Sequence, residues 1–265
     1  MPTIPTLVPP LQIPNRWRRA LTPADAFSWL DGGWRDFLTQ PLPSLLYGLL
    51  VFLISIIIVT GLFRFGMDYI LFPALAGFMV VGPVLAIGLY EKSRRLEEGL
   101  PVSLAQMIFV KAASGGQILF AGVLLCLLMM TWMRAAVIIY ALFFGLTPFP
   151  GLDHIATMLF TTPIGWAMLV VGTAVGALFA AFSFAISAFS IPMMLNERVD
   201  ALTAMGRSTA LVWNNLPVMF TWGSIVLVLV FVGLVTGLAG LIIVFPVVGH
   251  GTWHAYRAVS TGAAM

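Results

Sequence analysis

The chain has 265 residues, of which 60% are hydrophobic and 9% charged, and its mean hydropathy is +1.03. An average soluble domain is about 45–50% apolar and about 25% charged, so ten acidic and thirteen basic residues cannot cover a soluble globule of this size. The composition excludes a soluble enzyme, a nucleic-acid-binding protein and a disordered protein. It predicts an all-α, polytopic membrane helix bundle.

The first 21 residues contain five prolines and end in a basic cluster. They lack the continuous apolar run of a signal peptide. We interpret residues 1–21 as a disordered cytoplasmic tail and assign residues 22–260 to a single membrane domain.

Six stretches are long and apolar enough to cross a bilayer, which takes about 20 residues. They lie at residues 43–63, 71–90, 117–145, 163–190, 217–236 and 239–257. The last two form one apolar block of twice the length needed, so we expect a hairpin that turns at Gly237 and Gly240. The sequence thus predicts six transmembrane helices.

The basic residues are distributed unevenly over such a bundle. Eleven of the thirteen fall on one side, whereas Arg64 falls on the other and Arg134 lies inside the third span. Because cytoplasmic loops are enriched in Lys and Arg, this asymmetry predicts that both termini are cytoplasmic.

A more polar segment precedes each odd-numbered span, at residues 22–38, 101–116 and 199–215. In the last of these, apolar residues recur at three- and four-residue steps, as in an amphipathic helix that lies at the membrane interface. We therefore predict three cytoplasmic interfacial amphipathic helices.

Spans two and six contain similar sequences, LAGFMVVGP and LAGLIIVFP, in which Leu, Ala, Gly and Pro match in register. Together with the polar segments, this similarity predicts an internal repeat of one interfacial helix and two spans. The three copies would cover about 22–98, 99–198 and 199–260.

Three segments resemble a known family. They are GLYEKSRRLEEGLPVSLAQM at residues 88–107, ERVDALTAM at 197–205 and FPVVGHGTWHAYRAV at 245–259. The chain resembles, over most of residues 25–258, an uncharacterised bacterial integral membrane protein family, domain of unknown function 2189. The resemblance implies the cytoplasmic (inner) membrane of a Gram-negative bacterium and no established activity.

The sequence GHGTWH places His250 and His254 four residues apart, on one face of a helix. This spacing is typical of metal or haem ligand pairs. No third His or Cys falls on the same side, because His154 lies across the membrane in the six-span topology. We therefore predict no cofactor and interpret both histidines as hydrogen-bonding residues at the interface, with metal or haem binding as the alternative.

Two further features of the spans are candidate functional sites. Arg134 is an intramembrane charge, and such charges are often functional, although its long side chain can also reach the interface; we favour the second interpretation. Gly172, Gly176 and Ala180 form a stripe of small residues that allows close helix packing. Internal packing is the favoured interpretation, and docking of a partner helix is the alternative.

The chain has no Walker loop, nucleophile elbow, HExxH helix or paired carboxylates, and the six spans contain no Asp or Glu. We therefore predict a non-enzymatic protein whose partners are membrane lipids and other membrane-protein subunits, and not nucleic acid. The leading hypothesis is an accessory, assembly or scaffold component of a larger membrane complex. The alternative, suggested by repeated helix pairs with prolines at matching depth, is a transporter or lipid-handling protein.

Overall fold

The computed structural model describes residues 15–145 and 149–260, apart from the side chain of Asp153. Within these residues the chain is all-α and contains no strand, as expected. A 3₁₀ turn at Asp68–Ile70 accompanies the α-helices, which are α1 Asp25–Leu38, α2 Pro41–Arg64, α3 Leu71–Leu85, α4 Ile87–Glu97, α5 Leu104–Ile108, α6 Gly115–Phe144, α7 Leu152–Thr161, α8 Pro163–Ser187, α9 Ser190–Asn196, α10 Ala201–Asn214, α11 Leu216–Val235 and α12 Leu241–Ser260.

Five segments of the described chain are long and apolar enough to span a membrane, rather than the six expected. They are α2, the segment Asp68–Glu97 with α3 and α4, α6, the segment Pro163–Asn196 with α8 and α9, and α11. The sixth predicted span does form a helix, α12, but its second half carries the polar sequence HGTWHAYR. That polarity lowers its average hydropathy below that of the other spans.

Only two of the three predicted interfacial helices have the expected length. α1 and α10 each span 14 residues, whereas the segment 101–116 contains only the five-residue α5 and the first two residues of α6. α10 buries Ala201, Ala204, Met205, Ser208, Leu211 and Val212. The three-helix prediction and the three-copy repeat are therefore not confirmed.

Part of the predicted tail is held against the helices. The Arg19 guanidinium donates a hydrogen bond of 2.7 Å to the carbonyl of Val259, near the end of α12. The Asn215 side chain accepts from the Arg19 backbone amide and donates to the carbonyl of Trp17. Residues 1–14 of the predicted tail lie outside the described residues.

Two regions of the bundle position the candidate sites. α12 packs against α1, α2, α4 and α11; we call α1, α2, α4 and α12 the α12 region. α6 packs against α3 and α8; we call these three helices the cavity region.

The expected hairpin joins α11 to α12, and the left-handed backbone of Gly237 and Leu238, with φ of +66° and +69°, makes its turn.

Candidate functional site

A buried cluster of polar side chains lies in the α12 region, and His250 is at its centre. The imidazole is fully buried. Its Nε2 lies 2.9 Å from the hydroxyl of Ser44 on α2, and its Nδ1 lies 2.8 Å from the hydroxyl of Ser93 on α4 and 3.1 Å from the carbonyl oxygen of Leu89. His250 thus connects three helices, and both of its ring nitrogens are occupied.

Glycine makes this close approach of helices possible. A Cβ atom at Gly48 on α2 would lie 2.2 Å from the carbonyl oxygen of Ile242 on α12. A Cβ atom at Gly33 on α1 would lie 2.5 Å from the backbone nitrogen of Gly251. Real Cβ atoms do not approach backbone this closely, so only glycine allows α1 and α2 to pack at this distance from α12.

Lys92 on α4 extends the cluster and is also fully buried. Its ammonium donates hydrogen bonds to the carbonyl of Gln40, at 2.9 Å, and to the hydroxyl of Ser44, at 2.8 Å. Gln40 has φ of +54°, in the left-handed region that favours glycine. Because a buried ammonium is costly unless its protons are donated, these two acceptors stabilise Lys92.

Asp36 and His254 lie between this cluster and the surface. His254 Nε2 and the Asp36 carboxylate are 2.9 Å apart, and both residues line a groove of about 430 Å³ together with Glu97 and Arg257. Burial raises the pKa of Asp36, but hydrogen bonds from His254 and Ser93 outweigh the effect of burial, so the pKa of Asp36 is below its usual range.

The cluster is suited to holding helices together. Ser44, Lys92 and His250 are all fully buried, and hydrogen bonds connect Ser44 to both of the others. A hydrogen-bonded buried network specifies a packing arrangement. The geometry favours a structural role for these three residues.

The two histidines, His250 and His254, point to different partners although they share one helix face. His250 bonds to two serines, whereas His254 bonds to Asp36. Among the residues that the structure describes, no group of three His, Cys, Asp or Glu side chains could hold a metal ion. His154 is exposed on α7, away from this cluster.

The other two sequence candidates lie in the cavity region. Arg134 is exposed on α6 and forms no ion pair with any described residue. Gly172, Gly176 and Ala180 line a cavity. A Cβ atom at Gly176 would lie 3.0 Å from the ring of Trp132 on α6, whereas one at Gly172 would have no neighbour within 4 Å.

This cavity has a volume of about 1020 Å³ and lies between the cavity region and helices α7, α11 and α12. Its lining is predominantly apolar and aromatic, with Phe72, Trp132, Phe179, Val226 and Phe245 contributed by five helices. Gly172 leaves part of this volume unfilled, because it has no side chain to occupy it.

The family described as "Predicted integral membrane protein (DUF2189)", whose function is unknown, matches residues 71–196. The resemblance is confirmed over this stretch. The DUF2189 match includes Lys92 and Ser93 on α4 and the small-residue stripe on α8, but α1 and α12 with Asp36, His250 and His254 lie outside it. No curated protein and no solved structure matches the chain.

Sequence reasoning missed the partners of the two histidines. Asp36 and Ser44 are more than 200 residues from them in sequence, and Lys92 is one of the eleven basic residues whose distribution predicts only the topology. A signal was nevertheless present, because Gly249 and Gly251 flank His250. Glycines in a helix often mark close backbone approach, which indicates a buried position for the residue between them.

Proposed function

We propose that this protein is a lipid-handling membrane protein that holds lipid chains in the cavity beside α8. The cavity of about 1020 Å³ is the observation that carries this proposal. Its volume is at the upper end of the range of about 300–1,000 Å³ typical of small-molecule sites, and its lining is apolar. This is the alternative hypothesis of the sequence analysis, and the geometry favours it over the leading one.

The physical argument concerns what fills such a volume inside a bilayer. An empty cavity leaves its lining without dispersion contacts on one side. Lipid tails are as apolar as the side chains that line the cavity, and in a bilayer they are the molecules at highest local concentration. A lipid chain is therefore the ligand that fits this cavity best.

The proposal includes a topology. α12 is the sixth span, the termini and the three polar segments lie on the cytoplasmic side, and the protein resides in a bacterial inner membrane. The one-sided distribution of basic residues supports this orientation. In reporter fusions we expect alkaline phosphatase activity at residue 68 and none at residue 99; the opposite result would contradict this topology.

We further propose that the protein is non-enzymatic and has no metal or haem. Full burial of Ser44, Lys92 and His250 supports this view, since a catalytic group must reach a substrate. The role of accessory, assembly or scaffold component in a larger complex stays a prediction of the sequence.

The test measures lipid retained by the full chain after purification in a mild detergent. Gly172→Leu places a side chain in the cavity, where a Cβ atom meets nothing within 4 Å. We expect native mass spectrometry to find lipid bound to the native chain at near-unit stoichiometry and a severalfold loss in the variant.

Gly61→Leu is the matched control, because Gly61 on α2 also has open space but does not line the cavity. Its lipid content should equal that of the native chain. Equal retention in all three proteins would overturn the proposal. A stoichiometric partner protein without bound lipid would instead support the accessory hypothesis.

A further inference from the structure

The cavity is not entirely apolar, and two buried residues that line it have hydroxyl groups without partners among the described residues. Tyr90 on α4 is 1% exposed and Ser183 on α8 is 3% exposed, and both line the cavity. Neither hydroxyl forms a hydrogen bond with any described residue. A hydroxyl that faces a mostly apolar volume without a hydrogen-bond partner is destabilising.

Tyr90 lies at the end of the cavity that is next to the buried polar cluster. It directly precedes Glu91 and Lys92, where the apolar part of the second span ends. The preceding residue, Leu89, packs so closely on α12 that a Cβ atom at Gly249 would lie 2.6 Å from its Cδ1. Tyr90 is thus at the level of Gly249 and His250.

Ser183 lies at the same end, as contacts between α8, α11 and α12 show. Phe184, the next residue, lies 3.7 Å from the position of a Cβ atom at Gly223 on α11. The neighbouring Trp222 lies 2.7 Å from the Cβ position of Gly251 on α12. These contacts place the C-terminal part of α8, which contains Ser183, near the part of α12 that contains Gly251.

We propose that the cavity takes a long-chain lipid that carries a carbonyl oxygen, and that Tyr90 and Ser183 donate hydrogen bonds to this oxygen. The inference rests on the proposed function and specifies its ligand class. A hydrocarbon would leave both hydroxyls unpaired, whereas a carbonyl oxygen has two lone pairs and accepts from both.

Two classes of membrane lipid supply this chemistry: phospholipids with fatty-acyl esters and isoprenoid quinones. The position of Tyr90 at the boundary between apolar and charged sequence corresponds to the level of the ester groups in a bilayer, between head groups and hydrocarbon. Because both classes carry the acceptor, the experiment includes both.

The experiment titrates the delipidated full chain, in detergent, with phosphatidylglycerol, with ubiquinone and with squalene, which has no oxygen. Native mass spectrometry counts the bound molecules. We expect phosphatidylglycerol, ubiquinone or both to bind at least about tenfold more tightly than squalene. One or two good hydrogen bonds account for an affinity difference of this size. Whichever of phosphatidylglycerol and ubiquinone binds more tightly identifies the lipid class that supplies the carbonyl oxygen.

Tyr90→Phe removes only the hydroxyl, and we expect it to weaken binding of the carbonyl lipid about tenfold and to leave squalene binding unchanged. Tyr47→Phe is the matched control, because the Tyr47 hydroxyl bonds to the carbonyl of Leu85 and does not line the cavity. Ser183→Ala tests the second donor independently and decides the question if Tyr90→Phe does not fold.

The inference is overturned if squalene binds as tightly as the carbonyl lipids, or if Tyr90→Phe and Ser183→Ala both leave carbonyl-lipid affinity unchanged. In either case the cavity still binds lipid, and the proposed function stands. If none of the three probes binds the native chain, the proposed function fails as well.

Discussion

The α12 region and the cavity region use small residues in opposite ways. In the α12 region, a Cβ atom at Gly33, Gly48 or Gly88 would lie within 2.5 Å of backbone atoms of another segment. In the cavity region, a Cβ atom at Gly82 or Gly172 would meet nothing within 4 Å. The same residue type therefore brings backbones into contact in one region and leaves space in the other.

A small residue in a membrane helix therefore does not by itself indicate close helix packing. Close packing in the α12 region accompanies buried polar side chains, and their hydrogen bonds between helices hold the backbones together. In the cavity region the facing side chains are mostly apolar, although the Trp132 indole on α6 donates a hydrogen bond of 3.0 Å to the carbonyl of Pro73 on α3. Around Gly172 the apolar side chains leave a volume for a ligand.

The largest expected effect is that of Gly48→Ala. The new Cβ atom would lie 2.2 Å from the carbonyl oxygen of Ile242, so α2 and α12 must separate. We expect a loss of about 3 kcal/mol in stability, measured by thermal unfolding in detergent. Gly61→Ala, on the same helix in open space, should change stability by less than about 1 kcal/mol. Equal melting temperatures of Gly48→Ala and the native chain would contradict the close packing of α2 on α12.

The second prediction concerns His250→Ala. This change leaves the Ser93 hydroxyl and the Leu89 carbonyl without their partner, and we expect a loss of about 2–3 kcal/mol in stability. His254→Ala, at a site that is more than a third exposed, should lose about 1 kcal/mol. A larger loss at His254 would show that the buried network is not the main stabilising element.

Metal analysis of the same proteins tests the absence of a cofactor. We expect no stoichiometric zinc, copper or haem iron in the native chain. Near-stoichiometric metal that disappears in the double variant of His250→Ala and His254→Ala would show that the histidines are ligands.

The third prediction concerns pH. Because the pKa of Asp36 is lower in the folded chain, its ionised form stabilises the fold fully above the unfolded pKa of about 3.9. This contribution decreases as pH falls below that value and is lost below the folded pKa. We expect Asp36→Asn to lose about 1–2 kcal/mol at neutral pH and to approach the native chain's stability in acid.

Thermal unfolding of both proteins between pH 3 and pH 7 is the measurement. Asp31→Asn is the control, because Asp31 is more than half exposed on the same helix and pairs only with Arg35. Exposed ion pairs contribute little to stability, so the stability of Asp31→Asn should differ little from that of the native chain at every pH in this range. A constant difference for Asp36→Asn across this range would contradict the prediction.

The smallest expected effect is that of Gly172→Ala in the cavity region. A methyl group meets no neighbour there, and alanine is favoured over glycine in a helix by about 0.5–1 kcal/mol. We expect a stability gain of this size in detergent. Destabilisation would show that the cavity is more closely packed than the structure indicates.

The sequence determined the class of the protein, its all-α fold and most of its helix positions. Hydropathy and helical period depend only on neighbouring residues, so five of the six predicted spans, the hairpin turn at Gly237 and the helical face shared by His250 and His254 could be predicted. The pair of Glu91 with Arg95, four residues apart, was predictable for the same reason, and the structure shows it at 2.8 Å.

Only the tertiary structure decided which polar residues meet. Asp36 and His254 are 218 residues apart in the chain, and Lys92 has the same sequence signature as a basic residue at a membrane surface. Trp29 and Trp222 are buried and packed edge to face, with ring centroids 5.9 Å apart. Their positions follow from contacts between distant helices, which no local pattern contains. The cavity has the same origin, because its volume depends on how far α8 lies from α11 and α12.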